Sequence, residues 1–496
     1  MKKRKYAVAA GHQATAEAAI DILRDGGNAV DAAIAAYWAA CTAEPCMASA
    51  GAGGFAMVHP AGKAPVLVDF FCQTPGQVPN PHVPFEPIEV DFGESQELFY
   101  IRTGSIAVPG AVAGMFHLLD RYGSRPMNVL AQPGTHLARQ GLALNDFQAY
   151  DLFLLKDFVG DLEIGRRRFY QEGRIKQKGE VVTLPDWADY LDDLSRQDAR
   201  CFYQGEAGQQ MVRDHQGHLA LSDLNHYQVI ERNPLQVDFQ GHRIWTNPHP
   251  SIGGLLLGIL LGEMNGWPTS DLGDPVAFQV RWEALCARLR QEGFRKETLQ
   301  DLAARLFPDG DMPPQAWSGT SHLSIVDHWG NAIALTFSIG EGSGYFIPGT
   351  DIHLNNMLGE PALLPDGPFT WQPDVRLSSM MSPTILASAD LSSWTALGSG
   401  GAGRIPFMLA QVIQRLVSEG MHVPDAVRAP RSHRDDLHFH LEPGFPEQTY
   451  AQGYSLPVRR WKEPSLFYGG VHAVRWQGSE MEACGDFRRE GVGILA

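Results

Sequence analysis

The chain has 496 residues, 44% of them hydrophobic, and a formal net charge of -16, enough for two or three average domains or one large unit with a sizeable core. An acidic surface repels phosphate backbones and anionic lipid, which argues against nucleic acid or a membrane as partner. The six cysteines are scattered, so neither a disulfide scaffold nor a CxxC zinc pair is expected.

In chain order, the start "MKKRKYAVAAGHQ" has a basic cluster but too short an apolar run for a secretory signal, and a cytoplasmic location is expected. The segment "ATAEAAIDILRDGGNAVDAAIAAYWAACTAEP" predicts two helices. Asp25-Gly26-Gly27 stops the first, Asn28 caps the second and Pro45 closes it. "SAGAGGFAMVHPAGKAPVLVDFF" is glycine-rich and then strand-like, with a turn at Pro60-Ala61-Gly62. From 110 to 230 the pattern is mostly helical with charged, solvated faces. "HRIWTNPHPSIGG" predicts a strand running into a turn and then an apolar helix from Gly254, which is too short to span a bilayer. A further helical block is expected over 278–307. Strands and glycine turns follow Thr320, with one helix at "IPFMLAQVIQRLVSEG". With no low-complexity linker and no fixed-period repeat, a single domain over 1–496 is expected.

"SGTSHLSIVDHWGNAIALTFS" predicts a hairpin. With "DHWGN" as a five-residue loop, Val326 faces Ala332 and Thr320 faces Ser338. Leu323, Ile325, Ile333, Leu335 and Phe337 then share one face, and Thr320, His322, Ser324, Thr336 and Ser338 share the other. This places Thr320 first in a half-buried strand, on its polar side. A threonine hydroxyl needs an adjacent base to act as a nucleophile. Cutting Gly319–Thr320 would supply one on the same residue, an α-amine with an unperturbed pKa of about 7.7–8.0. The glycine before the threonine lets the carbonyl adopt the approach an N-to-O acyl shift needs.

Further motifs extend the pattern along the whole chain in order: "AAIDILRDGGNAVDAAIAA", "GAGGFAMV", "SIAVPGAVAGMFHLLDRYG", "LALSDLNHYQVIERNPLQVDFQGHRIWTNPHPSIGG", "TSHLSIVDHWGNAIALT", "GTDIHLNNMLGE", "RLSSMMSPTI", "LGSGGAGRI" and "GGVHAV…GDFRREG". Together they resemble the γ-glutamyltranspeptidase family of N-terminal nucleophile hydrolases. The resemblance implies an α+β fold, a four-layer αββα sandwich, and self-cleavage between Gly319 and Thr320 into chains 1–319 and 320–496 that stay together. It makes Thr320 the nucleophile and Ser338 its supporting hydroxyl. The oxyanion amides fall on Gly401 and Ala402, the α-carboxylate grip on Ser378 and Ser379, and the acid for the substrate's α-amino group on Glu360. Each oxyanion donor is typically worth about 3–4 kcal/mol.

The implied activity is transfer of a γ-glutamyl group from a glutathione-like small-molecule amide to water or an amine, with no cofactor or metal. The homo-oligomeric state is left open. Three positions depart from the family pattern. Phe70 to Pro81 contains no arginine to clamp the α-carboxylate, Gly340 stands where the family has an asparagine, and Met357 where it has a glutamine. A related acylase acting on a non-glutamyl amide, or a non-catalytic amide-binding homologue, is therefore carried as an alternative.

Other motifs have ordinary readings. "GSGGAG" at 398–403 matches a dinucleotide fingerprint, but no strand ending in an acid follows it at the required distance. His433, His438 and His440 could be drawn as a metal site, yet a solvated edge strand is the simpler expectation. His322 reads as a structural hydrogen-bonder because an α-amine would serve as base.

Overall fold

The computed structural model describes residues 5–91, 96–278, 280–281, 319–364, 367–435, 438–446, 457–478 and 480–496. Most of the helical block expected over 278–307 lies outside the described residues.

The chain opens with β1 (Ala7–Ala10), α1 (Gln13–Arg24) and α2 (Ala29–Ala43). Asn28 caps α2 as expected: its side chain accepts from the Val30 and Asp31 amides, and Asp31 reaches back to the Asn28 amide. Every residue of α2 is buried, and its run of alanines lets neighbouring backbones approach closely. There follow β2 (Gly53–His59), β3 (Val66–Phe70), α3 (Ala111–Tyr122) and α4 (Asp146–Leu154). Next come β4 (Ile230–Arg232), β5 (Leu235–Phe239), β6 (His242–Thr246) and the apolar α5 (Ile252–Met264).

The later part holds β7 (Thr320–Val326), β8 (Ala332–Ser338), β9 (Thr384–Ala387), β10 (Trp394–Gly400) and α6 (Ile405–Val417). It closes with β11 (Gly470–Gln477), β12 (Glu480–Cys484) and β13 (Val492–Leu495).

Two antiparallel sheets carry the architecture. One has seven strands in the order β4-β3-β2-β8-β7-β1-β13, and the other six in the order β5-β6-β9-β10-β11-β12. They pack face to face through Ala9, Met57, Val326 and Ala334 of the first and Ile385, Ala396 and Val474 of the second. Helices α1, α2 and α3 cover the outer face of the first sheet, while α5 and α6 cover the second. This is the expected four-layer αββα sandwich. The first and last strands of the chain, β1 and β13, pair beside the hairpin β7–β8, so distant segments converge there. No helix among the described residues is long and apolar enough to cross a membrane.

Candidate active site

The hairpin has the register expected from its alternation: Val326 pairs with Ala332 and Thr320 with Ser338. Its loop is held by Asp327, whose carboxylate accepts from the Trp329 and Asn331 amides and from the Ala29 amide that begins α2. The apolar face packs into the core beneath α2. One expectation changes here. The strand is not half-buried, because every residue of β7 and β8 is buried on both faces. The face with the polar residues meets the second sheet instead of solvent, and its polar groups must find partners there.

They do so in two groups. Deeper in, His322 Nδ1 bonds Thr336 Oγ1 at 2.7 Å and Nε2 bonds Ser324 Oγ at 2.8 Å. Burial, with His472 nearby, holds the His322 pKa well below the usual imidazole range. A neutral ring whose two nitrogens are both occupied by neighbouring hydroxyls is a structural hydrogen-bonder. A Cβ at Gly398 would lie 2.3 Å from that ring, and one at Gly400 would lie 2.1 Å from the Thr320 carbonyl oxygen. Close approach of the two sheets therefore accounts for these glycines of "GSGGAG" without a nucleotide.

At the open end of the hairpin, the Gly319–Thr320 peptide is gripped from several sides. Ser338 Oγ donates to the Gly319 carbonyl at 2.8 Å and accepts the Gly340 amide at 2.8 Å. The Gly319 amide donates to Glu341 at 3.1 Å, and Arg489 donates to the Thr320 carbonyl at 3.0 Å. Thr320 opens onto a cavity that it shares with Ser338, Glu360, Ser379 and Ala402. Phe71, Met357, Met380 and Ile405 make its wall largely apolar.

Five of the residues singled out from the sequence thus line one cavity, although they come from separate segments. Gly401 directly precedes the cavity-lining Ala402 at the entrance to α6, with φ at 119°, and Ala402 has φ at 46°. Left-handed backbone is strained for alanine and tends to persist where a site requires it. The pair also stands close to the positive end of the α6 dipole, where developing negative charge is favoured. Ser378 does not line the cavity; Ser379 does, and its Oγ accepts the Met381 amide.

The departures have local causes. A Cβ at Gly340 would lie 2.1 Å from Asn356 Oδ1 and 2.5 Å from Glu360 Oε1, so Glu360 and a side chain at 340 compete for the same space. Met357 forms part of the apolar wall. Beside Phe71 lies a buried cation, Arg376, which opens the "RLSSMMSPTI" motif but receives no role from the resemblance: it donates to the Phe71 carbonyl, the Tyr227 hydroxyl and the Gln228 carbonyl, and stands 3.5 Å from Asp69.

The histidine cluster differs from its expectation. Asp435, His438 and His440 are close enough to hold an ion. However, His440 Nδ1 accepts from Trp461 at 3.1 Å, so Nε2 carries the proton it shares with Asp435 at 2.6 Å. Both ring nitrogens are engaged and offer no lone pair to a metal. The strand is not a solvated edge: His433 and His440 are buried, and Phe439–Leu441 is the middle strand of a three-stranded sheet.

Sequence reasoning missed Glu44, Asp151, Glu341 and Arg489 around the Thr320 backbone. Glu44 had a signal, as a lone acid directly after the apolar run of α2. Arg489 lies inside the "GDFRREG" motif, but nothing local ties it to Thr320, which it reaches from the far end of the chain.

The γ-glutamyltranspeptidase family model matches residues 15–293 and 266–496. The chain belongs to the γ-glutamyltranspeptidase family. Among similar proteins, the glutathione hydrolase proenzyme of Escherichia coli (strain K12) is 28% identical over 495 residues, covering 90% of this chain and 84% of that protein. The capsule biosynthesis protein CapD proenzyme of Bacillus anthracis is 25% identical, covering 99% and 90%. Among solved structures, cephalosporin acylase from Bacillus halodurans superposes with a TM-score of 0.81 at 22% identity, covering 99% of this chain and 96% of that one. That likeness shows the shared N-terminal nucleophile hydrolase fold. As a γ-glutamyltranspeptidase family member with the site described above, the protein is an enzyme of this hydrolase class.

Proposed function

We propose that the chain is a self-processing amide hydrolase or acyltransferase with Thr320 as nucleophile. The observation that carries this reading is the Ser338 hydroxyl bonded to the Gly319 carbonyl, next to a threonine that opens onto a cavity. In processing, Thr320 Oγ attacks the Gly319 carbonyl carbon and negative charge grows on the oxygen that Ser338 already holds. The Gly319–Thr320 C–N bond breaks, the hydroxyl proton passes to the departing nitrogen, and an ester remains. Water cleaves that ester, leaving a Gly319 carboxylate and a free Thr320 hydroxyl and α-amine.

In turnover the α-amine takes the Thr320 hydroxyl proton as Oγ attacks the substrate amide, and the amides of Gly401 and Ala402 hold the oxyanion. The amine product leaves with the proton, and the acyl group passes to water or to an acceptor amine. The substrate in this reading is a γ-glutamyl, glutathione-like amide, its ammonium on Glu360 and its carboxylate on Ser379, the serine of the pair that lines the cavity. One observation favours a second reading, an acylase for a non-glutamyl amide. The cavity wall is mainly apolar, and Arg376, the buried cation beside Phe71, is engaged by neighbouring backbone carbonyls, Tyr227 and Asp69.

A denaturing gel with N-terminal sequencing tests the nucleophile. Two bands, one beginning at Thr320, are expected from the wild type, and one persistent band from Thr320→Ala; an intact wild-type chain sinks the reading. Turnover of a γ-glutamyl anilide by the cleaved enzyme separates the two substrate readings.

A further inference from the structure

Next to the Thr320 carbonyl, and not among the residues that line the cavity, lies a buried charge cluster for which the proposed chemistry has no use. Arg489 is the last residue of a short 3-10 helix, Phe487–Arg489, and is 5% exposed. The helix is anchored by Asp486, whose carboxylate is paired with Arg431 at 2.7 Å and Arg488 at 3.1 Å and accepts the Val471 amide. From that anchor Arg489 reaches past a cross-strand pair of glycines, Gly400 and Gly470. A Cβ on Gly470 would lie 2.5 Å from Arg489 Cδ, and one on Gly400 would lie 2.7 Å from its Nη1. The missing side chains form a slot through the second sheet, and the guanidinium at its end donates to the Thr320 carbonyl at 3.0 Å.

The other side of the cluster is acidic. Glu44, at the end of α2, accepts from Thr15 at 2.7 Å and from Ser321, the residue after Thr320. Asp151, on α4, has a buried Oδ2 with no hydrogen-bond partner among the described residues. Asp151, Glu44 and Asp486 are the charged groups that act on Arg489. Two consecutive residues of the nucleophile strand are thus held by the cluster, Thr320 by its carbonyl and Ser321 by its hydroxyl.

We propose that Arg489 is a positioning residue for Thr320, holding the peptide after the nucleophile still while the bond before it breaks. This role rests on the nucleophile reading given above. An N-to-O acyl shift swings the Gly319 carbonyl toward Oγ. If the Thr320–Ser321 peptide turned with it, the attack angle would be lost. After cleavage Thr320 is a chain end, and the Arg489 bond keeps that end from fraying out of the sheet.

The test compares Arg489→Met with Arg489→Lys. The conversion of fresh precursor to chains 1–319 and 320–496 is followed on denaturing gels, with folding checked by circular dichroism and melting. Loss of a charged hydrogen bond predicts cleavage slower by about tenfold or more in the methionine variant. It also predicts a lower kcat at little-changed KM in the cleaved enzyme, and recovery of most of the rate with lysine. A folded Arg489→Met that cleaves at the wild-type rate overturns the proposal. So do methionine and lysine variants that are equally slow, because the loss would then come from packing. If the single methionine variant does not fold, Arg489→Met with Asp151→Asn removes the buried charges together. The folded double variant is expected to be slowed in the same way, and wild-type speed in it overturns the proposal. A wild-type chain that never cleaves overturns the nucleophile reading itself, which the same gel reveals.

Discussion

The Ser338 hydroxyl bridges two backbone groups, donating to the Gly319 carbonyl at 2.8 Å and accepting the Gly340 amide at 2.8 Å. The bridge orients the hydroxyl proton toward the oxygen that gains charge when Thr320 attacks. Ser338→Ala removes one preorganised donor, and self-cleavage is expected to slow by about 100-fold to 1,000-fold. A time course of band conversion measures it. Unchanged cleavage would mean that the bond holds the loop and nothing more.

His322 lies on the same face as Thr320 but spends both nitrogens on Thr336 and Ser324. His322→Leu takes a partner from the buried Thr336 hydroxyl, at about 1–3 kcal/mol, while Ser324 keeps its bond to the His472 carbonyl at 3.3 Å. The melting temperature should therefore fall. The kcat/KM of the cleaved, folded fraction should change far less than the roughly 100-fold to 10,000-fold expected on removal of a general base.

Gly340 has φ at 68°, which asparagine tolerates better than most residues. Its space is nonetheless taken by Asn356 and Glu360. Introducing the family's asparagine as Gly340→Asn should destabilise the protein by about 1–3 kcal/mol through overpacking and disturb the cavity. Thermal melting reads the first effect and precursor conversion the second. A second substitution that shortens Glu360, Glu360→Ala, should recover part of the lost stability.

His12 caps α1 with a neutral ring, its Nδ1 accepting the Ala14 amide at 3.0 Å. Burial lowers its pKa from 6.5 to about 4. Since the folded value lies below the unfolded one, its contribution is fully present above pH 6.5 and is lost as the pH falls toward about 4. His218 and His472, also lowered to about 4 by burial, act in the same direction. Melting temperature should be level above neutrality and drop on acidification. His12→Asn keeps a capping oxygen and should remove part of that drop. Equal acid sensitivity in the variant and the wild type would contradict this account of the cap.

The hairpin shows how far local pattern reaches. The period-two alternation and the loop are enough to pair Thr320 with Ser338, because slipping the register by one residue mixes the two faces. Pattern could not say what covers the polar face. A polar stripe reads as solvent-facing, and the stripe is in fact buried because a second sheet lies on it and its hydroxyls and imidazole satisfy one another. The same limit explains the paired strands Ser432–Arg434 and Phe439–Leu441, where polar composition hid the burial of His433 and His440.

The sequence by itself determined the elements with local causes: the Asn28 cap, the hairpin register, the glycine turn into α6, and a collinear set of motifs that identified the family. Only the tertiary structure decided which of the marked residues share a cavity. It brought Glu360 and Ala402 beside Thr320, left Ser378 off the cavity lining, and filled the space at Gly340 with Asn356 and Glu360. It also delivered Arg489 through a pair of glycines to the carbonyl of Thr320. The division is physical. Caps and hairpin registers are set by neighbours a few residues apart, whereas a charge buried beside a nucleophile is placed by the packing of two sheets, which no local pattern encodes.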